Sequence, residues 1–102
     1  MTGRSAARAA QGNRDANHGA LSALYEQLGC SVIDSHSLGF GFPDAVVGLI
    51  GRTELVEFKT EAGDRNAAQE RFARDWRGSK VRIIRSPDDV LAHVQDIRRA
   101  AR

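Results

Sequence analysis

Two short apolar segments separated by two residues constrain the fold more than any other feature of the chain. Asp44 to Ile50 (DAVVGLI) and Thr53 to Lys59 (TELVEFK) flank Gly51-Arg52. This pattern predicts a β-hairpin whose two-residue turn has glycine at its first position. Because apolar residues occupy both faces of the hairpin, we expect it in the centre of a sheet that is covered on both sides.

The segments around the hairpin predict three helices and two further strands. They are a helix over 15–28, a strand over 31–35, a loop over 36–43, a helix over 67–77, a strand over 80–85 and a helix that opens at Ser86. Apolar residues at helical spacing mark the expected buried faces: Leu21, Leu24, Tyr25 and Leu28; Ala68, Phe72 and Trp76; Val90, Leu91, Val94 and Ile97. The order helix, three strands, helix, strand, helix predicts an α/β fold around a mixed sheet.

The length of 102 residues is sufficient for one domain with a modest core. We expect a flexible tail over 1–13 and a single domain over 14–102. The tail is basic but lacks the apolar segment of a secretory signal, no apolar run could cross a bilayer, and Cys30 alone cannot form an internal disulfide. A cytoplasmic protein without a membrane contact is therefore expected, and its net charge of +2 gives modest support to nucleic-acid binding.

Three charged residues are predicted to lie at one end of the hairpin. The expected register places Asp44 opposite Lys59 and Val46 opposite Glu57, so that the three charges share one face. Asp44 and Glu57 are then diagonal neighbours roughly 7–8 Å apart at the backbone. Two carboxylates at that separation suit Mg²⁺, which binds one or two carboxylates together with waters and phosphate oxygens.

Lysine is rare in this chain, because thirteen of the fifteen basic residues are arginine and only Lys59 and Lys80 are lysine. A desolvated lysine can lose its proton and help to deprotonate water, whereas arginine stays protonated. Lys59 beside two acids therefore suggests catalysis. The alternative is a plain cross-strand ion pair between Asp44 and Lys59.

These residues resemble the signature of the PD-(D/E)xK nucleases, with Pro43-Asp44 followed on the next strand by Glu57-Phe58-Lys59. The chain is most similar to the VRR-NUC type and to small phage or prophage proteins. The blocks that carry the resemblance run from about Arg14 to Ile97: RDANH at 14–18, GFGFPDAVVG at 39–48, LVEFKT at 55–60, Gln69, WRG at 76–78 and RSPDD at 85–89.

The resemblance implies a restriction-endonuclease-like core and hydrolysis of DNA phosphodiester bonds. One or two Mg²⁺ or Mn²⁺ ions would be held by Asp44, Glu57 and the carbonyl of Phe58, and no small-molecule cofactor is expected. Lys59 would orient or deprotonate the attacking water, and Gln69 would lie near Lys59 or the phosphate. The alternative interpretation is structural, with Gln69 as a core amide whose hydrogen-bonding groups have partners within the protein.

The resemblance also assigns a catalytic position to Asn17 on the first helix, where many members of the superfamily carry a glutamate. Helical spacing independently predicts that Asn17 faces inward, since it lies four residues before Leu21. Because an amide carries no charge, this departure from the family pattern argues against tight binding of a second metal ion.

The leading hypothesis is an endonuclease acting on DNA, with branched, flap or four-way DNA as candidate substrates and a homodimer as the expected assembly. One rival is a nucleic-acid-binding module that keeps the fold without turnover. Another is an interaction protein in which Asp44 and Lys59 merely pair. Phe72 and Trp76 are interpreted as core residues, and His18 and His36 lack ligand spacing but could lie near the site.

Overall fold

The structure, a computed structural model, describes residues 13–101, with side chains from Asn17 onward. Its elements are α1 (Asn13–Gln27), β1 (Ser31–Asp34), β2 (Ala45–Leu49), β3 (Arg52–Phe58), α2 (Ala67–Asp75), β4 (Arg82–Ile84) and α3 (Pro87–Ala100), with a 3₁₀ turn at His36–Leu38. The predicted tail over 1–13 lies outside these residues apart from Asn13. Within the described part of the chain, no helix is both long enough and apolar enough to cross a membrane.

The four strands form one mixed sheet in the order β1-β2-β3-β4. β1 and β2 are antiparallel, as are β2 and β3, whereas β3 and β4 run parallel. Antiparallel neighbours need only a short turn, but a parallel pair needs a crossover, and α2 lies in that connection. The α/β class, the mixed sheet and the central position of the hairpin are as predicted.

The hairpin turn differs from the prediction by one residue, because Ile50 and Gly51 form it. Both have left-handed backbone, with φ of 53° and 74°. A two-residue turn with positive φ at both positions matches the twist of the strands, and glycine adopts it without strain. A β-branched residue such as Ile50 rarely does so, and for that reason the sequence favoured the next pair of residues.

The earlier turn moves the strand register by two residues. Val46 lies opposite Leu55 rather than Glu57, and the predicted pairing of Asp44 with Lys59 is wrong. A shift by an even number of residues leaves every side chain of the paired strands on its predicted face, since side chains alternate with a period of two. The predicted faces of the hairpin are therefore correct although its register is not.

The main core lies between the sheet and the two helices α1 and α3. Alternate residues of the strands point into it, and the buried members are Leu21, Tyr25, Cys30, Ala45, Val47, Val56, Phe58, Ile84, Val90 and Val94. Full burial of one aliphatic side chain contributes about 1.5–3 kcal/mol, so this cluster is the main source of stability. Cys30 is buried and free at the end of α1, as expected.

Two of the predicted buried faces need correction. α2 has no buried residue, and Trp76 is 43% exposed because this helix packs on the loop before β2 rather than into the main core. In α3, Leu91 is exposed and His93 is buried in its place. Helical spacing alone gave no reason to expect the polar side chain of His93, rather than Leu91, in the buried face of α3.

His93 belongs to a buried hydrogen-bonded chain that joins three elements. Its Nδ1 lies 2.7 Å from the Tyr25 hydroxyl on α1, and its Nε2 lies 3.1 Å from Oε1 of Glu54 on β3. Burial raises the pKa of the Tyr25 hydroxyl, which therefore stays protonated. Its O–H donates to Nδ1 of His93, and the Nε2–H of His93 donates to Glu54. Burial lowers the pKa of His93, and the hydrogen bond to Glu54 only partly opposes this.

The neutral state of His93 predicts a loss of stability in acid. A base whose pKa is lower in the folded than in the unfolded state destabilises the fold as the pH falls through the unfolded value, which for histidine is near 6.5. We expect the thermal midpoint to fall between about pH 7.5 and about pH 5. In His93→Gln the fall should be clearly smaller, and an equal fall in both proteins would contradict the account.

Candidate functional site

A cleft of about 470 Å³ opens where β2 begins and β3 ends. It contains three of the predicted catalytic residues, Asp44, Lys59 and Gln69. Its full lining is His36, Gly39, Phe40, Gly41, Phe42, Asp44, Phe58, Lys59, Asn66, Ala68 and Gln69. The strand ends, the loop before β2 and the first turn of α2 therefore converge on one cavity, which is lined by both polar and aromatic side chains.

Asp44 is fixed at the edge of the cleft by main-chain hydrogen bonds. Its N–H donates to the Val56 carbonyl at 3.0 Å, and its Oδ2 accepts from the Phe58 N–H at 2.9 Å. Its Oδ1 lies 3.6 Å from Nδ1 of His36. Only 7% of Asp44 is exposed, so the carboxylate is held against the Glu57-Phe58-Lys59 segment in one orientation.

Lys59 leaves β3 with its ammonium held by an uncharged group. Nζ donates to Oε1 of Gln69 at 2.8 Å, and the main-chain N–H of Lys59 donates to Ile84 at 3.0 Å. Among the side chains that the structure describes, there is no ion pair between Lys59 and Asp44. The interpretation of these two residues as a plain cross-strand salt bridge is therefore wrong.

Gln69 is positioned by the N-terminus of α2. Its Oε1 accepts from the Asn66 N–H at 2.9 Å, while its own N–H donates to Oδ1 of Asn66, also at 2.9 Å. This reciprocal pair is a capping box, which satisfies two main-chain donors of the first helical turn. The same oxygen serves the cap and Lys59, so folding of the helix end sets the place of the lysine.

Glu57 is fully buried and does not line the cleft. Its Oε2 accepts from Nε of Arg65 at 2.9 Å, and Nη2 of Arg65 donates to the Val81 carbonyl at 3.2 Å. Its Oε1 is buried without a hydrogen-bond partner among the described residues. Arg65 was not among the site residues predicted from the sequence.

Asn17 is half-buried on α1 and is absent from the lining of the cleft. The neighbouring His18 is buried instead, with its ring 4.6 Å from that of Phe58 and 6.2 Å from that of His36. Both positions fit helical spacing, but His18 also continues the row of Leu21 and Tyr25, which are buried. Because Asn17 matches Leu21, Leu24 and Leu28 equally well, helical spacing alone could not have identified His18.

Gly41 lets the loop before β2 pack against α2. Its φ is +79°, and a Cβ added there would lie 2.2 Å from the carbonyl oxygen of Ala68. Only glycine permits this approach, which confirms the expected need for close backbone contact in this loop. The contact closes one side of the cleft.

The residues present fit a divalent cation in their chemistry. Asp44, Glu57 and the Phe58 carbonyl offer the hard oxygen ligands that Mg²⁺ and Mn²⁺ prefer. A buried carboxylate oxygen without a donor, such as Oε1 of Glu57, is costly unless a cation compensates it. No group of three His, Cys, Asp or Glu side chains that could hold a metal occurs among the described residues. The ligands named above include only two such side chains, Asp44 and Glu57, because the third ligand is a main-chain carbonyl.

Comparisons of this chain with protein-family models, curated proteins and solved structures find no match. The interpretation of the site therefore depends on its own geometry. That geometry combines a fixed carboxylate, an ammonium and an amide in one open cleft, next to a buried carboxylate.

The ion pair of Arg65 with Glu57 predicts a large difference between two arginine variants. Arg65→Ala leaves the buried Glu57 without its counter-charge and should lower the free energy of unfolding by about 3–5 kcal/mol. Arg74→Ala removes an ion pair that is solvent-exposed on both sides and should change little. Chemical denaturation measures both.

A second replacement separates charge from packing. Combining Arg65→Ala with Glu57→Gln removes the buried charge as well, so the double variant should be more stable than Arg65→Ala alone. Equal stability of the two variants would show that Arg65 contributes packing and not charge compensation.

Proposed function

We propose that this protein is a metal-dependent endonuclease of the PD-(D/E)xK type that hydrolyses DNA phosphodiester bonds. The observation that carries the proposal is the convergence of Asp44 and Lys59 on one cleft at the end of β3. Support also comes from the buried, incompletely paired carboxylate of Glu57, which lies two residues before Lys59. These are the three residues of the motif: Asp44 and Lys59 line the cleft, and Glu57 is buried outside its lining.

The proposed metal ligands are Asp44, Glu57 and the carbonyl of Phe58. Asp44 is already held against this segment by the Phe58 N–H, and Glu57, whose Oε2 is paired with Arg65, has a second oxygen, Oε1, that is buried without a hydrogen-bond partner among the described residues. A bound Mg²⁺ or Mn²⁺ ion would polarise the phosphate and lower the pKa of a water molecule. The protein contributes the fixed direction of the carboxylates.

Lys59 is the proposed catalytic cation. Because its hydrogen-bond partner is the neutral oxygen of Gln69, the ammonium keeps a net positive charge in the cleft, where a phosphate group would be attracted. The ammonium would orient the attacking water, and only the neutral amine form of Lys59 could deprotonate that water. Gln69 is a positioning residue in this scheme, since it acts through Lys59.

The restriction-endonuclease-like core is the finer fold assignment within this proposal. What supports it is the element order, three strands between the first two helices and a fourth strand parallel to β3. A homodimer, a DNA partner and a cytoplasmic location complete the proposal. A dimer would bring two such sites together and account for cutting of both strands.

The second candidate is a nucleic-acid-binding module without turnover. It is favoured by the ion pair that already engages Glu57 and by the position of Asn17 outside the cleft. Such a module would bind phosphate through Lys59 and need no metal. Cleavage therefore separates the two functions.

The test is a cleavage panel of linear, single-stranded, flap and four-way DNA in the presence of Mn²⁺. We expect at least one substrate to be cut, and Lys59→Ala to lower the rate by roughly 10²-fold or more, as loss of a general acid or base does. Lys80→Ala is the matched control, because Lys80 is the only other lysine and is exposed.

The possible results differ between the candidates. Equal cleavage by the wild type and Lys59→Ala would indicate a contaminating nuclease and contradict the proposal. Binding of DNA without cleavage of any substrate would favour the binding module.

A further inference from the structure

Phe40 is an aromatic side chain held in solvent. It is 97% exposed, and its backbone has a φ of 57°. Left-handed backbone is uncommon for a residue other than glycine, asparagine or aspartate, and a fully exposed phenylalanine gains no burial energy that would offset it. Residues with such a backbone conformation cluster at ligand-binding sites, so Phe40 is a candidate for contact with a ligand.

Phe40 forms one wall of a groove against α2. The groove has a volume of about 260 Å³ and is lined by Phe40, Ala68, Arg71, Phe72, Asp75 and Trp76. Phe72 and Trp76 stack on each other, with ring centres 5.3 Å apart and an angle of 16° between the ring planes. Trp76 is 43% exposed, so an aromatic surface remains accessible opposite Phe40.

The charges of the groove favour an anionic polymer. Arg71 lies in the lining and is exposed. The one acid present, Asp75, is bound by Arg74 through contacts of 2.9 and 3.3 Å. A flat apolar group attached to a phosphate would satisfy both the aromatic walls and the guanidinium.

The groove is continuous with the candidate active site. Phe40 and Ala68 line both the groove and the cleft that contains Asp44 and Lys59. A ligand seated beside Phe40 would therefore extend its backbone toward those two residues.

We propose that this groove binds an unpaired nucleobase, which stacks between the side chains of Phe40 and Trp76. The preferred substrate then contains single-stranded DNA next to the scissile phosphate. The inference rests on the proposed nuclease function of the adjoining cleft. A base inside a duplex presents no free face, whereas an unpaired base presents two. The groove thus selects single strands, flaps or gaps over continuous duplex.

Trp76 provides a direct probe, because it is the only tryptophan in the chain. In EDTA, where no cleavage occurs, a short oligothymidylate should quench its fluorescence. A duplex or an abasic oligomer of the same length and charge should quench it far less. Phe40→Ala should weaken oligothymidylate binding about 10-fold, within the range expected for loss of one stacking contact.

Matched variants keep the test specific. Phe40→Tyr should retain binding and Phe40→Leu should weaken it, since only the first keeps a stacking surface. Leu91→Ala removes an apolar side chain on α3 that is 43% exposed and lies outside the groove, and should have no effect. Circular dichroism of each variant checks the fold.

Two outcomes would overturn the inference. Equal binding of the abasic and base-bearing oligomers would show that phosphate contacts alone explain affinity. Self-association that depends on Phe40, measured by sedimentation, would show that a second copy occupies the groove. A failure of the nuclease proposal is separate, because it would appear as absent cleavage with Mn²⁺ while the quenching in EDTA persists.

Discussion

The hydrogen bond from the Phe58 N–H to Oδ2 of Asp44 ties the two central strands together at the point where the cleft opens. Asp44 is almost entirely buried, so this bond also satisfies a carboxylate that would otherwise be costly to desolvate. The direction of the carboxylate follows from the main chain, which is the least mobile part of a central strand. The rest of the site is built around this contact, because it holds Asp44 against the segment that carries Glu57 and Lys59.

The three charges of the site are compensated in three different ways. Glu57 lies inside the protein with an arginine, Asp44 accepts a main-chain hydrogen bond, and Lys59 has only an amide oxygen as its partner. A buried charge without compensation costs several kcal/mol, so the pairing of Glu57 stabilises the fold. Lys59, in the open cleft, does not need a counter-charge. The positive charge therefore faces the cleft, with Asp44 at its edge and Glu57 buried outside its lining.

The central hairpin and the element order could be predicted because they follow from local pattern, whereas the place of Gln69 near Lys59 was implied only by the resemblance to a nuclease family. The side-chain faces survived an error in register because an even shift preserves alternation. The exact turn could not be predicted, since Ile50 adopts a backbone conformation that its sequence disfavours. Contacts between segments that are distant in the sequence also could not be predicted from the local pattern of apolar residues. Arg65 reaches Glu57 from a loop, and α2 packs on the loop before β2 instead of burying Phe72 and Trp76 in the core.

The central claim is that Asp44 belongs to a divalent-metal site, and calorimetry with Mn²⁺ in the absence of DNA tests it most directly. The account predicts that the wild type binds Mn²⁺ and that Asp44→Asn, which keeps the size of the side chain but removes its charge, loses that binding. Asp88→Asn, at an exposed acid in the first turn of α3 that does not line the cleft, should bind like the wild type. Absence of binding by the wild type, or binding that Asp44→Asn leaves unchanged, would contradict the account.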